Sequence, residues 1–345
     1  MQSRFLCYTA LNGRFSAAGR MTGKRGIWPV NVRRIWTGTA ALLLLLTAAA
    51  CAPRPAQLEV LTIGTADSGG TMYPVGRAIA GAMASETRKL NVGASTGSEK
   101  NIADLSSGEI DLGLVTADAA YDAVQAGTAE GLRAIGAVYV SVSTWLAPAD
   151  SGLLYVHDMT TERLGVGPEN SVTEQTAQVS LEVLKTDGVS PTLENCSLEQ
   201  GWRELAEGKL DAVHGFVGTP AEGLVNLSQQ LPCNVLRYTQ EELEQILGAN
   251  KVYCAAVIPA ESYVGQVEEV PTFGSKCLLC VDASMDEELV YALTQALWQA
   301  RDTLKEEHPA LAVLQEEGFL WEGLPVALHE GAERFYQENC PGFEK

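Results

Sequence analysis

The residues best placed to do chemistry lie in short loops rich in hydroxyls and glycines. Gly64-x4-Gly69-Gly70-Thr71 comes within one residue of a phosphate-binding loop, but Gly70 stands where that loop needs lysine, and no downstream aspartate is placed for Mg²⁺. What the stretch does offer is Thr65, Ser68, Gly70 and Thr71, with Tyr73 just inside the next helix. A second loop offers Ser95 and Ser98, with Asn101 one turn on; a third contains Thr116, and a fourth Ser171, Thr173 and Glu174. Hydroxyls and bare N–H groups at helix starts suit an anion, because the helix dipole and the orphan amides point the same way. A carboxylate needs only two or three such donors. Catalytic patterns are missing: the four histidines have no partners at metal spacing, and neither HExxH nor GxSxG occurs. His214 could face a cleft or pack inside. No cofactor and no metal is expected, and no enzyme activity.

Those loops need a frame that brings them together. Apolar strand runs alternate with helical stripes: Leu58–Gly64, the helix carrying Tyr73, Val75, Ile79 and Met83, strand Asn91–Ala94, helix Ser98–Ser106, strand Ile110–Val115, helix Ala117–Gln125 and strand Leu132–Val140. Alternation of this kind builds βαβ units on a parallel sheet. The second half repeats the grammar. Leu105-Ser-Ser-Gly-Glu-Ile-Asp111 returns as Leu205-Ala-Glu-Gly-Lys-Leu-Asp211, and Ile63-Gly-Thr-Ala-Asp-Ser68 is echoed by Val166-Gly-Pro-Glu-Asn-Ser171. The reading is an α/β protein of two Rossmann-like lobes with a ligand cleft between them. Lobe I takes residues 58–147 plus 273–345 and lobe II residues 152–257, with hinge crossings at 148–151 and 258–272. A capping box at Ser284-x-x-Glu287 is expected to open a long helix that His308-Pro309 ends.

The first fifty residues differ in kind. They hold seven Lys or Arg and no Asp or Glu, then TAALLLLLTAAAC, an apolar run too short for the roughly 20 residues of a membrane span. Basic region, apolar run and small residues describe a secretory signal. The small residues end on Cys51, which points to lipoprotein processing: residues 1–50 removed, Cys51 acylated and 51–57 a tether. Ala48 stands where leucine is usual, and Met21–Cys51 alone has the normal length of such a leader. The expected location is extracytoplasmic, anchored to the membrane by lipid.

Without residues 1–50 the chain keeps 17 basic residues against 43 acidic ones, about −26, which excludes nucleic acid as a partner. Six cysteines remain, Cys196, Cys233, Cys254, Cys277, Cys280 and Cys340. They read as core thiols or structural bridges, Cys254 to Cys277 or Cys280 being the first bridge to look for. Cys277 and Cys280 sit three apart on a strand and so on opposite faces, which disfavours a redox or zinc pair.

Taken in order, these segments resemble the TAXI-type solute-binding proteins of TRAP transporters. GTADSGGTMYPVG resembles that family's N-terminal loop, ASTGSEKN its Ala-Thr-Gly-Gly-Ser segment, and GEIDLGLVTADAAYDA the segment ending Gln-Ser-Asp. GPENSVTEQTA, HGFVGTPAEG, IPAESYVGQVEEVPT and LHEGAERFY follow in the right order. The resemblance implies a type II periplasmic-binding-protein fold and a monomer. It also implies capture of a glutamate-like amino acid or dicarboxylate and delivery to an ion-driven TRAP permease. By position it carries ligand contacts to Thr65, Ser68, Gly70, Thr71, Tyr73, Ser95, Ser98, Asn101, Ser171, Thr173 and Glu174, the last facing a ligand ammonium or belonging to the helix start. Two departures bear on the ligand: Thr116-Ala117 replaces Gln-Ser, and Val172 replaces glycine. The alternative is a lipid-anchored sensor presenting the same cleft to a signalling partner.

Overall fold

A computed structural model describes residues 58–183 and 190–343. The expectations for residues 1–57, including the leader and Cys51, lie outside them. The first half runs β1 (Glu59–Gly64), α1 (Met72–Met83), β2 (Arg88–Gly93), α2 (Ser98–Ser107), β3 (Leu112–Thr116), α3 (Ala117–Gln125) and β4 (Leu132–Pro148). The second repeats the order with β5 (Arg163–Gly165), α4 (Val172–Val183), β6 (Thr192–Glu194), α5 (Leu198–Ala206), β7 (Ala212–Val217), α6 (Glu222–Gln230) and β8 (Cys233–Val235). Then come α7 (Gln240–Ala249), β9 (Cys254–Ile258), β10 (Val270–Asp282), α8 (Glu287–Gln299), α9 (Arg301–Glu307) and α10 (Glu330–Asn339).

The sheet order is β2-β1-β3-β10-β4-β7-β5-β6, with β8 on β4 and β9 on β10. Parallel pairing holds within β2-β1-β3 and within β6-β5-β7, and β4 and β10 pair antiparallel with every strand they meet. Two α/β halves therefore flank a central antiparallel pair. The internal repeat reaches individual atoms. Asp111 accepts the Thr62 amide at 2.7 Å, and Asp211 accepts the Arg163 amide at 2.8 Å. Gly108 and Gly208 end α2 and the turn after α5 at φ 75° and 70°, the left-handed conformation glycine adopts freely.

Four sequence expectations need correcting. β4 does not stop at Val140. From Val142 it pairs with β7 and from Leu146 with β8, so the chain passes between halves inside a continuous strand rather than at 148–151. Its Ser-Val-Ser-Thr run reads as a break, yet Ser141, Ser143 and Thr144 are buried in the sheet. Residues 258–272 form a hairpin, not a crossing: Ile258 pairs with Val270, and β10 makes the return passage further on. The helix at Glu287 is capped by Asp286, which accepts the Leu289 amide at 2.9 Å, while Ser284 bonds Asp282. All six cysteines among the described residues are free thiols, five of them buried, so no Cys254 bridge forms.

Packing follows the two faces of the sheet. α1 brings Val75, Ile79 and Met83, each fully buried, onto Ile63 and Leu114. In the second half, Leu198, Trp202 and Leu205 of α5 and Leu224 and Leu227 of α6 cover Leu146, Val213 and Val217 in a core of their own. α5 and α6 meet so closely that a Cβ on Gly223 would lie 1.6 Å from the Trp202 ring.

Candidate ligand-binding site

Strands β1, β2, β3 and β5 end at one place, and the loops that leave them line a single cavity of about 50 Å³. This is where open α/β sheets bind ligands, beyond the carboxyl ends of parallel strands. The first half contributes Gly70, Thr71, Thr96, Gly97, Ser98 and Thr116, and the second contributes Ser171 and Thr173. Six of the residues singled out from sequence thus meet here: Gly70, Thr71, Ser98, Thr116, Ser171 and Thr173.

The other six stand elsewhere. Thr65 is fully buried and donates to the Gly93 carbonyl at 2.7 Å. Asn101 donates to the Thr65 and Leu114 carbonyls at 2.7 and 2.8 Å, and its Oδ1 lies 2.8 Å from the Ser95 hydroxyl. Thr65, Ser95 and Asn101 therefore form a brace behind the loops. Ser68 faces an outer groove with Glu199 and Trp202. Tyr73 is half-buried on α1 and does not line the cavity. The Glu174 carboxylate accepts the Asn170 amide, and its own amide donates to Ser171, so it closes the start of α4.

What the helices leave undone matters more than any side chain. α1, α2 and α3 begin at Thr71, Gly97 and Thr116, all lining the cavity, and none of the three has a side-chain cap bond. An uncapped helix start exposes several backbone donors and the positive end of the dipole. Two other helices that begin at the cavity are capped, α4 by Ser171 and α5 by Ser197, and elsewhere Thr239 caps α7, Asp286 caps α8 and His329 caps α10. α6 and α9 also lack side-chain caps, but they start at Ala221 and Ala300, away from the cavity.

The hydroxyls arrange these starts. Ser98 accepts the Thr116 amide at 3.0 Å and lies 3.3 Å from the Thr116 hydroxyl, tying α2 to α3. Thr71 donates across the cleft to the Gly218 carbonyl at 2.8 Å. Gln175 of α4 donates to Glu99 of α2 at 2.9 Å, a second tie between halves. Beneath α4, His214 lies 3.0 Å through Nδ1 from the Thr173 carbonyl, which can only accept, so Nδ1 carries the proton and Nε2 accepts from Ser143 at 2.9 Å. Burial pulls the His214 pKa down to about 3, opposed in part by the Thr173 bond. The ring is thus a neutral packed support for the site. Asp118, at the start of α3, is also buried, and desolvation raises its pKa against hydrogen bonds that lower it.

Several cavity residues had no sequence signal. Tyr139 of β4 and Phe216 and Val217 of β7 lie inside apolar strand runs that read as core. Val172 and Leu198 sit at the starts of helices and read as ordinary amphipathic positions. Asp67 lies within the first loop, among glycines and hydroxyls whose pattern suits an anion rather than a carboxylate of the chain's own.

The two repeated α/β halves, joined through an antiparallel strand pair with loops converging between them, define the architecture of periplasmic binding proteins. The chain belongs to the NMT1-like family, matched over residues 63–339. Solved structures with related architecture include an amino acid ABC transporter substrate-binding protein, AbpA from Streptococcus pneumoniae, bound to L-arginine (14% identity, TM-score 0.47, 74% of this chain and 96% of that one). Another is a ligand-binding component of an ABC-type import system from Staphylococcus aureus with zinc bound (12% identity, TM-score 0.46, 81% and 91%). A third is the periplasmic aliphatic sulphonate binding protein SsuA from Escherichia coli (16% identity, TM-score 0.44, 74% and 78%). The first two are binding components of ABC-type transport systems, and the third is a periplasmic binding protein. Among the described residues no helix is long and apolar enough to cross a membrane.

Proposed function

We propose that this chain is the extracytoplasmic solute-binding subunit of a TRAP transporter of the TAXI type, lipid-anchored at Cys51. It captures a small carboxylate between its halves and hands it to a membrane permease. The observation that carries this reading is the convergence of three uncapped helix starts, at Thr71, Gly97 and Thr116, on one cavity between the halves. A carboxylate there takes the favourable end of three dipoles and can accept from start amides, although the Asp118 amide of α3 already donates to Ser275 at 3.2 Å. The reading needs no catalytic group. The resemblance implies glutamate-like amino acids and dicarboxylates, and the reading itself requires only a small solute that bears a carboxylate.

The test is thermal unfolding of the purified chain after denaturation and refolding to strip bound solute, screened against amino acids, dicarboxylates, keto acids and sugars. A true ligand at a hundredfold its dissociation constant adds about 2.7 kcal/mol. A rise in Tm with a carboxylate supports the reading, and a rise only with sugars or other neutral solutes overturns it.

A further inference from the structure

The charge lining of the cavity narrows the solute. Among the described residues that line it, Asp67 is the single charged side chain, with no lysine, arginine or histidine. Oδ1 of Asp67 accepts the Gly69 amide at 2.8 Å, and Oδ2 has no partner among the described residues. The Thr173 hydroxyl also has none, although that residue is 8% exposed and lines the cavity. Three helix starts without side-chain caps, the Thr173 hydroxyl, one carboxylate oxygen without a partner and apolar walls of Val172, Phe216 and Val217 therefore share one small space.

We propose that the solute is an α-amino acid with a small uncharged side chain: its carboxylate meets the uncapped helix starts and the Thr173 hydroxyl, and its ammonium meets Oδ2 of Asp67. The side chain packs on Val172, Phe216 and Val217. This rests on the solute-binding reading above and deepens it. A dicarboxylate or glutamate fits poorly. Its second carboxylate would lose water among apolar walls with no cation to pair with, which is costly. That charge would also lie near Asp67, in a chain of net charge −19.

The experiment is titration calorimetry on the refolded full-length chain and its Asp67→Asn variant. The probes are glycine, L-alanine, L-valine, L-serine, L-threonine, 3-methylbutanoate (valine without its ammonium), succinate and L-glutamate. Asparagine keeps the oxygen that accepts the Gly69 amide, so the turn survives the change. The expected result is binding of at least one small amino acid, tightest for side chains that fill the apolar wall. Removing the ammonium, or Asp67→Asn, weakens it roughly 10- to 100-fold, the range for losing a charge-assisted hydrogen bond. The variant does not weaken any affinity for 3-methylbutanoate, which has no ammonium to lose. Succinate or glutamate binding as tightly as the best amino acid overturns the proposal while the solute-binding reading stands. So does 3-methylbutanoate matching valine, or Asp67→Asn weakening both alike. If no solute in this panel or in the wider thermal screen binds, both readings fall.

Discussion

Ser98 is 1% exposed, and its hydroxyl accepts the Thr116 amide, so it fixes where two helix starts point. Ser98→Ala removes that hold without adding bulk. We expect it to weaken solute binding by about 0.5–1.5 kcal/mol, the net worth of a typical hydrogen bond. Calorimetry reads this directly, and unchanged affinity removes Ser98 from the site. His214 offers a different measurement. Its folded pKa of about 3 lies below the ordinary imidazole value of 6.5. Between those values the unfolded chain binds a proton that the folded chain refuses, so stability is full above pH 6.5 and falls as pH drops through the window. The limiting slope is about 1.4 kcal/mol per pH unit. Urea unfolding at steps from pH 7.5 to 5.5 should show this loss, and His214→Asn should flatten it. An unchanged profile in the variant means that the ring titrates normally.

At the scale of elements, the β-α alternation was legible because each segment keeps one period, and α3 is observed at its expected bounds, Ala117–Gln125. The loops were legible because glycine and hydroxyl residues cluster where strands hand over to helices. The full length of β4 was not. Serine and threonine in Ser141–Thr144 look like a strand end, but in the sheet between two halves they are buried, and Ser143 is satisfied by His214 and Tyr238, partners 71 and 95 residues away. The split of the twelve expected contacts has the same cause. Ser95 and Asn101 carry the right chemistry, but a local pattern does not reveal that backbone carbonyls behind the loop use it first. Gly223 is another position whose constraint is long-range. Gly223→Ala drives a methyl into the Trp202 ring and should cost about 1–3 kcal/mol of stability by overpacking. Denaturant unfolding checks it, and a loss under 0.5 kcal/mol would show that α5 and α6 slide apart freely.

For the molecule as a whole, the two halves are tied across the cleft by Thr71 to Gly218 and Gln175 to Glu99. The first bond is buried and the second exposed. Thr71→Val keeps shape and removes the buried donor. We expect the solute-free protein to open, with a larger radius of gyration in X-ray scattering, and saturating solute to restore the compact form. Identical scattering from both proteins would mean that packing alone holds them closed. Because β4 and β10 run unbroken between the halves, we propose that opening is a bend shared along this strand pair, near Val142 and Gly274, rather than a swing about two loose linkers.

The three unfinished helices have one more consequence. A bound carboxylate would serve as their common end-piece, supplied from outside and surrendered at each delivery. Rigidity of the first half and tightness of capture then come from the same few amides and rise and fall together. A variant evolved for sturdiness when empty would finish those helices with its own side chains, and would lose its grip on the cargo as it did so.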